Sequence, residues 1–282
     1  VAPTGAMKLQ VFMLARVLRT VPVVAVIVVL GLHASGCAAK KNVAPSGILE
    51  ADKYLFERAT ELIGKRKWLQ SREYFRQLVD NYPQSSYRPD AKLGLGDTYL
   101  GDGSAEALVM GENEYKEFLT FYPTHARADY AQLKLGMCHF QQMLAAERDQ
   151  TQTKEAVAEF KTFVQRFPTS ALLPEAKARL RDAQNRLSES EYRVGYFYHR
   201  NRWYPGAVER LAALLKSDPE FVNRDAVLFH LADSLLKLGR KAEALPYFDR
   251  LVVEFEKSEY LAKAKLAIAS LKAETPALDK KK

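Results

Sequence analysis

Three sets of residues have types that could do chemistry. The glycines of Gly94-Leu-Gly96-Asp-Thr-Tyr-Leu-Gly101 could cradle a phosphate, Glu112, Glu114 and Glu117 could move protons, and His125, His139, His199 and His230 could hold a metal. Spacing argues against each. The glycine segment has no strand before it and no phosphate-loop lysine motif, so its glycines serve close helix packing. The glutamates fall on the solvated face of one helix, and the histidines are scattered over different repeats. There is no G-x-S-x-G and no paired-histidine helix. The chain therefore reads as no enzyme, with no cofactor or metal. What remains is binding. Tyr192, Tyr196, Phe197, Tyr198, Arg200, Arg202, Trp203 and Tyr204 form the richest aromatic and arginine cluster, the side chains that usually anchor a partner. About half should be core and half exposed.

The elements that must position this cluster are written in the apolar spacing. In Ala156-Val-Ala-Glu-Phe160-Lys-Thr-Phe163-Val-Gln-Arg-Phe167-Pro168, apolar residues recur every three or four positions, the buried face of an amphipathic helix that Pro168 stops. Phe75 to Pro83, Tyr115 to Pro123 and Leu211 to Pro219 repeat the unit, and Phe248 to Glu256 repeats it with glutamate in the proline place. Upstream of each lies a large-small-x-x-large partner, such as Leu95-Gly96-x-x-Tyr99, Leu135-Gly136-x-x-His139 and Val194-Gly195-x-x-Tyr198. This pairing resembles the tetratricopeptide repeat, a helical hairpin of about 34 residues. The expected fold is all-α: an α-solenoid of about five such hairpins closed by a C-terminal capping helix.

Taken in order, residues 1–36 read as a lipoprotein signal peptide. Lys8, Arg16 and Arg19 supply its positive end, and Val21 to Leu32 an apolar stretch too short for an unaided spanning helix. Met7 or a non-methionine codon at Val1 would start it. Ala34-Ser35-Gly36-Cys37 resembles the bacterial lipobox, which makes Cys37 the expected acylated N-terminus and membrane anchor. Ala38, rather than aspartate, then points to the periplasmic face of the outer membrane. Cys138 alone would remain, so no internal disulfide is possible, and its neighbours Leu135, Met137 and Phe140 make it a small core residue. Setting aside the signal leaves +5 of the formal +8 charge, nearly balanced, which gives no reason to expect nucleic acid as a partner.

Residues 37–49 should form a flexible tether. Residues 50–171 make a front half of three hairpins, with helices near 50–64, 68–81, 87–100 and 104–121. Helix A of the third hairpin is expected over 125–146, followed by the polar interruption Glu147 to Gln152. Residues 172–273 make a back half: a helix of about 26 residues from Pro174 as spine, two hairpins, and a cap near 259–273. Residues 274–282 should be a disordered basic tail.

Beyond the repeat, several stretches resemble one family, the BamD outer-membrane assembly lipoproteins. These are Tyr122-Pro-Thr-His125-x-x-x-Asp129-Tyr130-Ala131, the insertion Arg148-Asp149-Gln150-Thr151, the long-helix pattern Arg179-Leu through Asn185-Arg186-Leu187, Glu191, Val194 and Phe197-Tyr198, and Tyr204-x-x-Ala207-Val208-x-Arg210. The resemblance implies a scaffold of the β-barrel assembly machinery. Its back half would grip the membrane-proximal POTRA domain of BamA through Arg210, Tyr204, Arg202 and Glu191, joined by Arg148 and Asp149 of the insertion, with Arg210 facing an acidic residue of BamA. Its front half would receive unfolded β-barrel proteins along a groove marked by Tyr82, Tyr122, His125 and Tyr130. Other lipoproteins of the machinery would join it. Two alternatives stand beside these. The chain could be a periplasmic repeat scaffold in cell division or peptidoglycan coordination, and Arg210 could pair with Glu209 or Asp218 on its own surface.

Overall fold

The computed structural model describes residues 50–279, which hold eleven α-helices and no strand. Cys37, the signal, the tether and residues 280–282 lie outside the described residues. The helices are α1 (Ala51–Gly64), α2 (Trp68–Asn81), α3 (Arg88–Asp102), α4 (Ala105–Phe121), α5 (Ala128–Gln141), α6 (Thr151–Arg166), α7 (Leu173–Arg200), α8 (Tyr204–Ser217), α9 (Arg224–Lys237), α10 (Lys241–Glu254) and α11 (Leu261–Asp279). Consecutive pairs from α1/α2 to α9/α10 form five antiparallel hairpins, and α11 packs on α10. This is the all-α solenoid with a terminal cap that the periodicity required. Among the described residues no helix is long and apolar enough to cross a membrane.

Each hairpin closes by setting a large residue of its second helix into a small one of its first. A Cβ on Gly136 would lie 2.6 Å from the Phe160 ring, and one on Gly195 2.5 Å from Leu211. Phe160, Leu211 and Phe248 are accordingly buried, and so are Ala232, Ala207 and Ala244. Between the helices the chain must turn through left-handed backbone. Gly103 (φ 73°) and Gly239 (φ 74°) take that position at no steric cost, but Arg66 (φ 55°) and Arg202 (φ 62°) take it in the first and fourth hairpins.

A second device braces hairpins at the turns that leave them. After α2, α6 and α10 the chain turns, and a serine of that turn reaches back to the first-turn aspartate of the same hairpin's first helix. Ser85 donates to Asp52 at 2.7 Å, Ser170 to Asp129 at 2.5 Å and Ser258 to Asp225 at 2.7 Å. The serine bond holds the Asp52 carboxyl below its usual pKa. In the second hairpin His125 stands in the serine place, and Arg127 bonds Asp90 at 2.9 Å instead. The last turn keeps its shape with Glu256 where the others have proline: Ser258 N–H still bonds the Phe255 carbonyl at 3.1 Å.

The 28-residue α7 spans about 42 Å at 1.5 Å per residue. Helices α1–α6 pack among themselves and on α7, and α8–α11 do likewise, so packing between the halves runs through it. Along it Arg181 holds Asp218, the residue just past the end of α8, with two bonds of 3.0 and 2.5 Å, and Ser188 donates to the same carboxylate. Burial works against that charge, but Arg181 and Ser188 prevail and keep the Asp218 carboxyl below its usual pKa.

Several expectations need correction. Helix A of the third hairpin ends at Gln141 rather than 146. The amides of Gln142 and Met143 turn to the carbonyls of His139 and Phe140, and Ala146 is buried within the loop that follows. Helix α11 continues to Asp279, past the end expected near 273 and into the residues expected to be disordered, with Pro276 inside the extension. The glutamates of α4 are more than solvated. Lys92 of α3 is buried against them, 2.9 Å from Glu114 and 2.6 Å from Glu117, while Glu112 lies 3.9 Å from His139. Cys138 is buried as expected, and burial pushes its thiol up to about 12.

Candidate partner-docking surface

Helix α7 shows three faces. Ala176, Ala183, Ser188 and Gly195 are buried, while Tyr192 turns toward Phe221 and α9. Val194 and Phe197 lie on the remaining, open face, with Phe197 60% exposed. A single exposed apolar residue is ordinary, but a contiguous group of them marks a contact site. The turn into α8 extends this face. Trp203 is 54% exposed, with its ring edge-on to Tyr198 at 4.6 Å and seated over Gly206. Arg202, the residue before it, is exposed and in left-handed backbone.

Charge flanks this apolar strip on both sides. On one margin Arg210 of α8 meets Glu191 of α7 at 3.5 Å, both about half exposed. Neither Glu209 nor Asp218 is its partner; Asp218 is taken by Arg181. On the other margin lies the 142–150 loop. Arg193 pairs with Glu147 of the loop and with Glu189, and Arg186 donates to the Leu144 carbonyl at 3.3 Å. Arg148 then lines a cleft of about 300 Å³ with Ser190, Val194, Phe197 and Tyr198. A larger cleft of about 720 Å³ continues past Glu147 and Arg193 between the loop and Phe221 to Asn223.

The structure thus brings four of the six expected partner-binding residues onto one surface: Arg210 and Glu191 as a pair, Arg202 beside Trp203, and Arg148 across α7. Tyr204 sits half-buried at the start of α8, its ring 5.9 Å from His199. Asp149 spends its carboxylate locally, accepting from the Thr151 amide at 3.1 Å and hydroxyl at 3.0 Å to open α6. Of the wider aromatic cluster, Tyr192, Tyr198 and Tyr204 are half-buried, and Tyr196, Phe197 and Trp203 are open.

The four front-half residues are more tied down. Tyr122 and His125 meet at 6.4 Å over Phe118, and the Tyr122 hydroxyl accepts from Arg88 at 3.1 Å. Tyr130 donates to Asp97 at 2.9 Å, and Tyr115 to the same oxygen at 2.6 Å. Burial raises the Asp97 carboxyl above its usual pKa even though both hydroxyls favour its charge. Tyr82 packs apart from these, on the first core cluster around Phe75 and Leu78. All four are half-buried.

Two features escaped the sequence reading. His199 and His230, in different hairpins, come within 4.8 Å of each other, a meeting that only the packing of α7 on α9 creates. The strain at Arg202 had a signal. It stands seven residues after Gly195, as Gly103 and Gly239 stand seven after Gly96 and Ala232. Among the described residues no group of histidine, cysteine or carboxylate side chains could hold a metal ion.

Residues 50–246 match the family described as outer membrane lipoprotein, YfiO. A Caulobacter vibrioides protein named outer membrane protein assembly factor BamD is 26% identical over 233 residues, covering 81% of this chain and 75% of its own. Its namesake in Neisseria meningitidis serogroup A is 24% identical, covering 83% and 92%. The TPR2AB domain of yeast Sti1 aligns at a TM-score of 0.42 and 13% identity, over 79% of this chain and 84% of that one. With more than two thirds of its length matched, insertion loop and long helix included, this chain belongs to the YfiO family of outer-membrane lipoproteins.

Proposed function

We propose that this protein is the BamD-type scaffold of the β-barrel assembly machinery, binding BamA and unfolded β-barrel proteins for insertion into the outer membrane. The observation that carries this reading is the family match over 50–246, supported by relatives whose own name is outer membrane protein assembly factor. Because the match includes the insertion and the spine rather than the repeats alone, it favours this role over a cell-division or peptidoglycan scaffold.

The parts divide by surface. The strip of Val194, Phe197, Arg202 and Trp203, with Arg210 and Arg148 at its margins, suits a partner domain offering an apolar ridge and carboxylates. We assign it to the POTRA domain of BamA, with residues 172–273 as the gripping half. Residues 50–171 take the extended substrate. There Tyr82, Tyr122, His125 and Tyr130, being half-buried, offer ring edges and hydroxyls rather than whole faces. Cys37, acylated, would hold the body to the membrane through residues 37–49, since two or more acyl chains exceed the marginal affinity of one. No step in this role needs catalysis.

Depletion of the protein in its host is the test. Outer-membrane β-barrel proteins should fall and their unfolded forms accumulate, while other lipoproteins keep their levels. If barrel levels hold and septation or wall synthesis fails instead, the cell-division reading replaces this one.

A further inference from the structure

His230 of α9 is a buried imidazole, 7% exposed, and its Nδ1 has no hydrogen-bond partner. Aromatic rings pack around it: Tyr196 at 4.7 Å and His199 at 4.8 Å from α7, Phe229 at 5.3 Å from its own helix, and Tyr260 at 5.3 Å from the turn before α11. The seam between the spine, the fifth hairpin and the cap therefore closes on this ring.

The two histidines are not equivalent. The Ser234 hydroxyl donates to the His230 carbonyl at 2.6 Å, so toward His199 it can only accept. His199 Nδ1, 2.9 Å away, must then carry the proton. Its Nε2 faces Asp233 at 3.6 Å, a carboxylate ready to stabilise a second proton. Burial and Lys237 act against that gain, and burial prevails in lowering the His199 pKa. His230 has no such support. The charged or chargeable groups facing it are His199 on α7 and Lys263 on α11, both of which oppose a positive ring, and the hydroxyls of Tyr192 and Tyr260, which burial holds above the usual tyrosine pKa and so neutral; the Tyr196 ring packs at 4.7 Å.

We propose that the His199–His230 pair is an acid-operated latch, which clamps the fifth hairpin and cap to α7 while both rings are neutral and loosens that seam when His230 takes a proton. A charge there would sit among apolar rings with no carboxylate to pair with, so the ring must swing outward or the helices part. The sign follows from the pKa. Burial, then His199, lowers His230 to about 4 from 6.5. The stabilisation is whole above pH 6.5 and is lost as pH falls from there toward 4, an approximately 30-fold drop in the folding equilibrium between pH 7.5 and 5. The front half, which lacks such a pair among its described residues, should not share this loss.

The experiment is urea unfolding of the full chain at pH 7.5 and 5.0, in a Trp68→Phe background so that Trp203 alone reports the back half. The wild-type transition should weaken by about 30-fold more than that of His230→Gln, which cannot take the charge. Equal pH dependence in the two chains overturns the latch. Should His230→Gln fail to fold at pH 7.5, ring-proton NMR of the wild type decides the matter. A His230 signal that stays neutral at pH 5.5 supports the latch, and titration near 6.5 overturns it.

Discussion

Arg202 offers the sharpest separation of stability from function. It occupies left-handed backbone at φ 62°, where Gly103 and Gly239 serve the same turn in other hairpins. An L-residue there costs about 1–2 kcal/mol, and glycine's extra freedom in the unfolded chain returns about 0.5–1 of that. Arg202→Gly should therefore stabilise the protein by about 0.5–1 kcal/mol, raising the melting temperature by about 1–4 °C for a chain of this size. Strain alone marks no contact, since Arg66 carries it at an exposed position too; what singles out Arg202 is its place beside the exposed Trp203. We assign its side chain to partner contact there, so the same variant should capture less BamA from detergent-solubilised membranes. Arg66→Gly is the internal control: equal strain relief at φ 55° in the first hairpin, with capture unchanged. Circular dichroism melting and quantitative capture measure the two effects. Stabilisation with undiminished capture would remove Arg202 from the interface. No stabilisation in either variant would refute the strain argument.

Phe160→Ala should cost about 3–5 kcal/mol in urea unfolding, because the ring is fully buried against Gly136 and nothing nearby can fill the void; a change under 1 kcal/mol would mean that the hairpin closes in some other way. Asp218, held below its usual pKa by Arg181 and Ser188, contributes stability that is present above about pH 4 and lost as pH falls through its folded pKa. Asp218→Asn should flatten that acid limb in melting experiments between pH 5 and 2, and an unaltered limb would show that the clamp carries no net charge stabilisation.

Much of the fold was legible because each hairpin announces itself locally. Gly136 and Phe160 stand in a register that only a close helix pair explains, and Pro83, Pro123, Pro168 and Pro219 end second helices by removing an amide. The 142–150 loop was harder. Its residues Met143, Leu144, Ala145 and Ala146 read as a continuing helix, and what ends α5 is amide bonding back to His139 and Phe140, which leaves no mark in hydrophobic spacing. Site residues split the same way. The aromatic and arginine composition of 192–204 flagged the surface, but which rings open to solvent depends on the rotation of α7 against α8 and α9. Phe197 and Tyr192 differ only in that. The Lys92 pairing with Glu114 and Glu117 and the meeting of His199 with His230 are products of inter-helix packing, invisible to any local pattern.

The most direct test of the assembly role is affinity capture of the tagged protein from membranes in gentle detergent, with the co-purifying chains identified by mass spectrometry. The account predicts the BamA barrel in stoichiometric amount from the wild type. It should be lost with Arg210→Glu, which turns the expected pair with an acidic residue of BamA into a repulsion, a loss of roughly 2–5 kcal/mol where binding desolvates the pair. Melting should change little, because the half-exposed Glu191 pair is worth at most about 1 kcal/mol. Wild-type protein that returns no BamA, under conditions where its own fold and membrane association persist, would contradict the account.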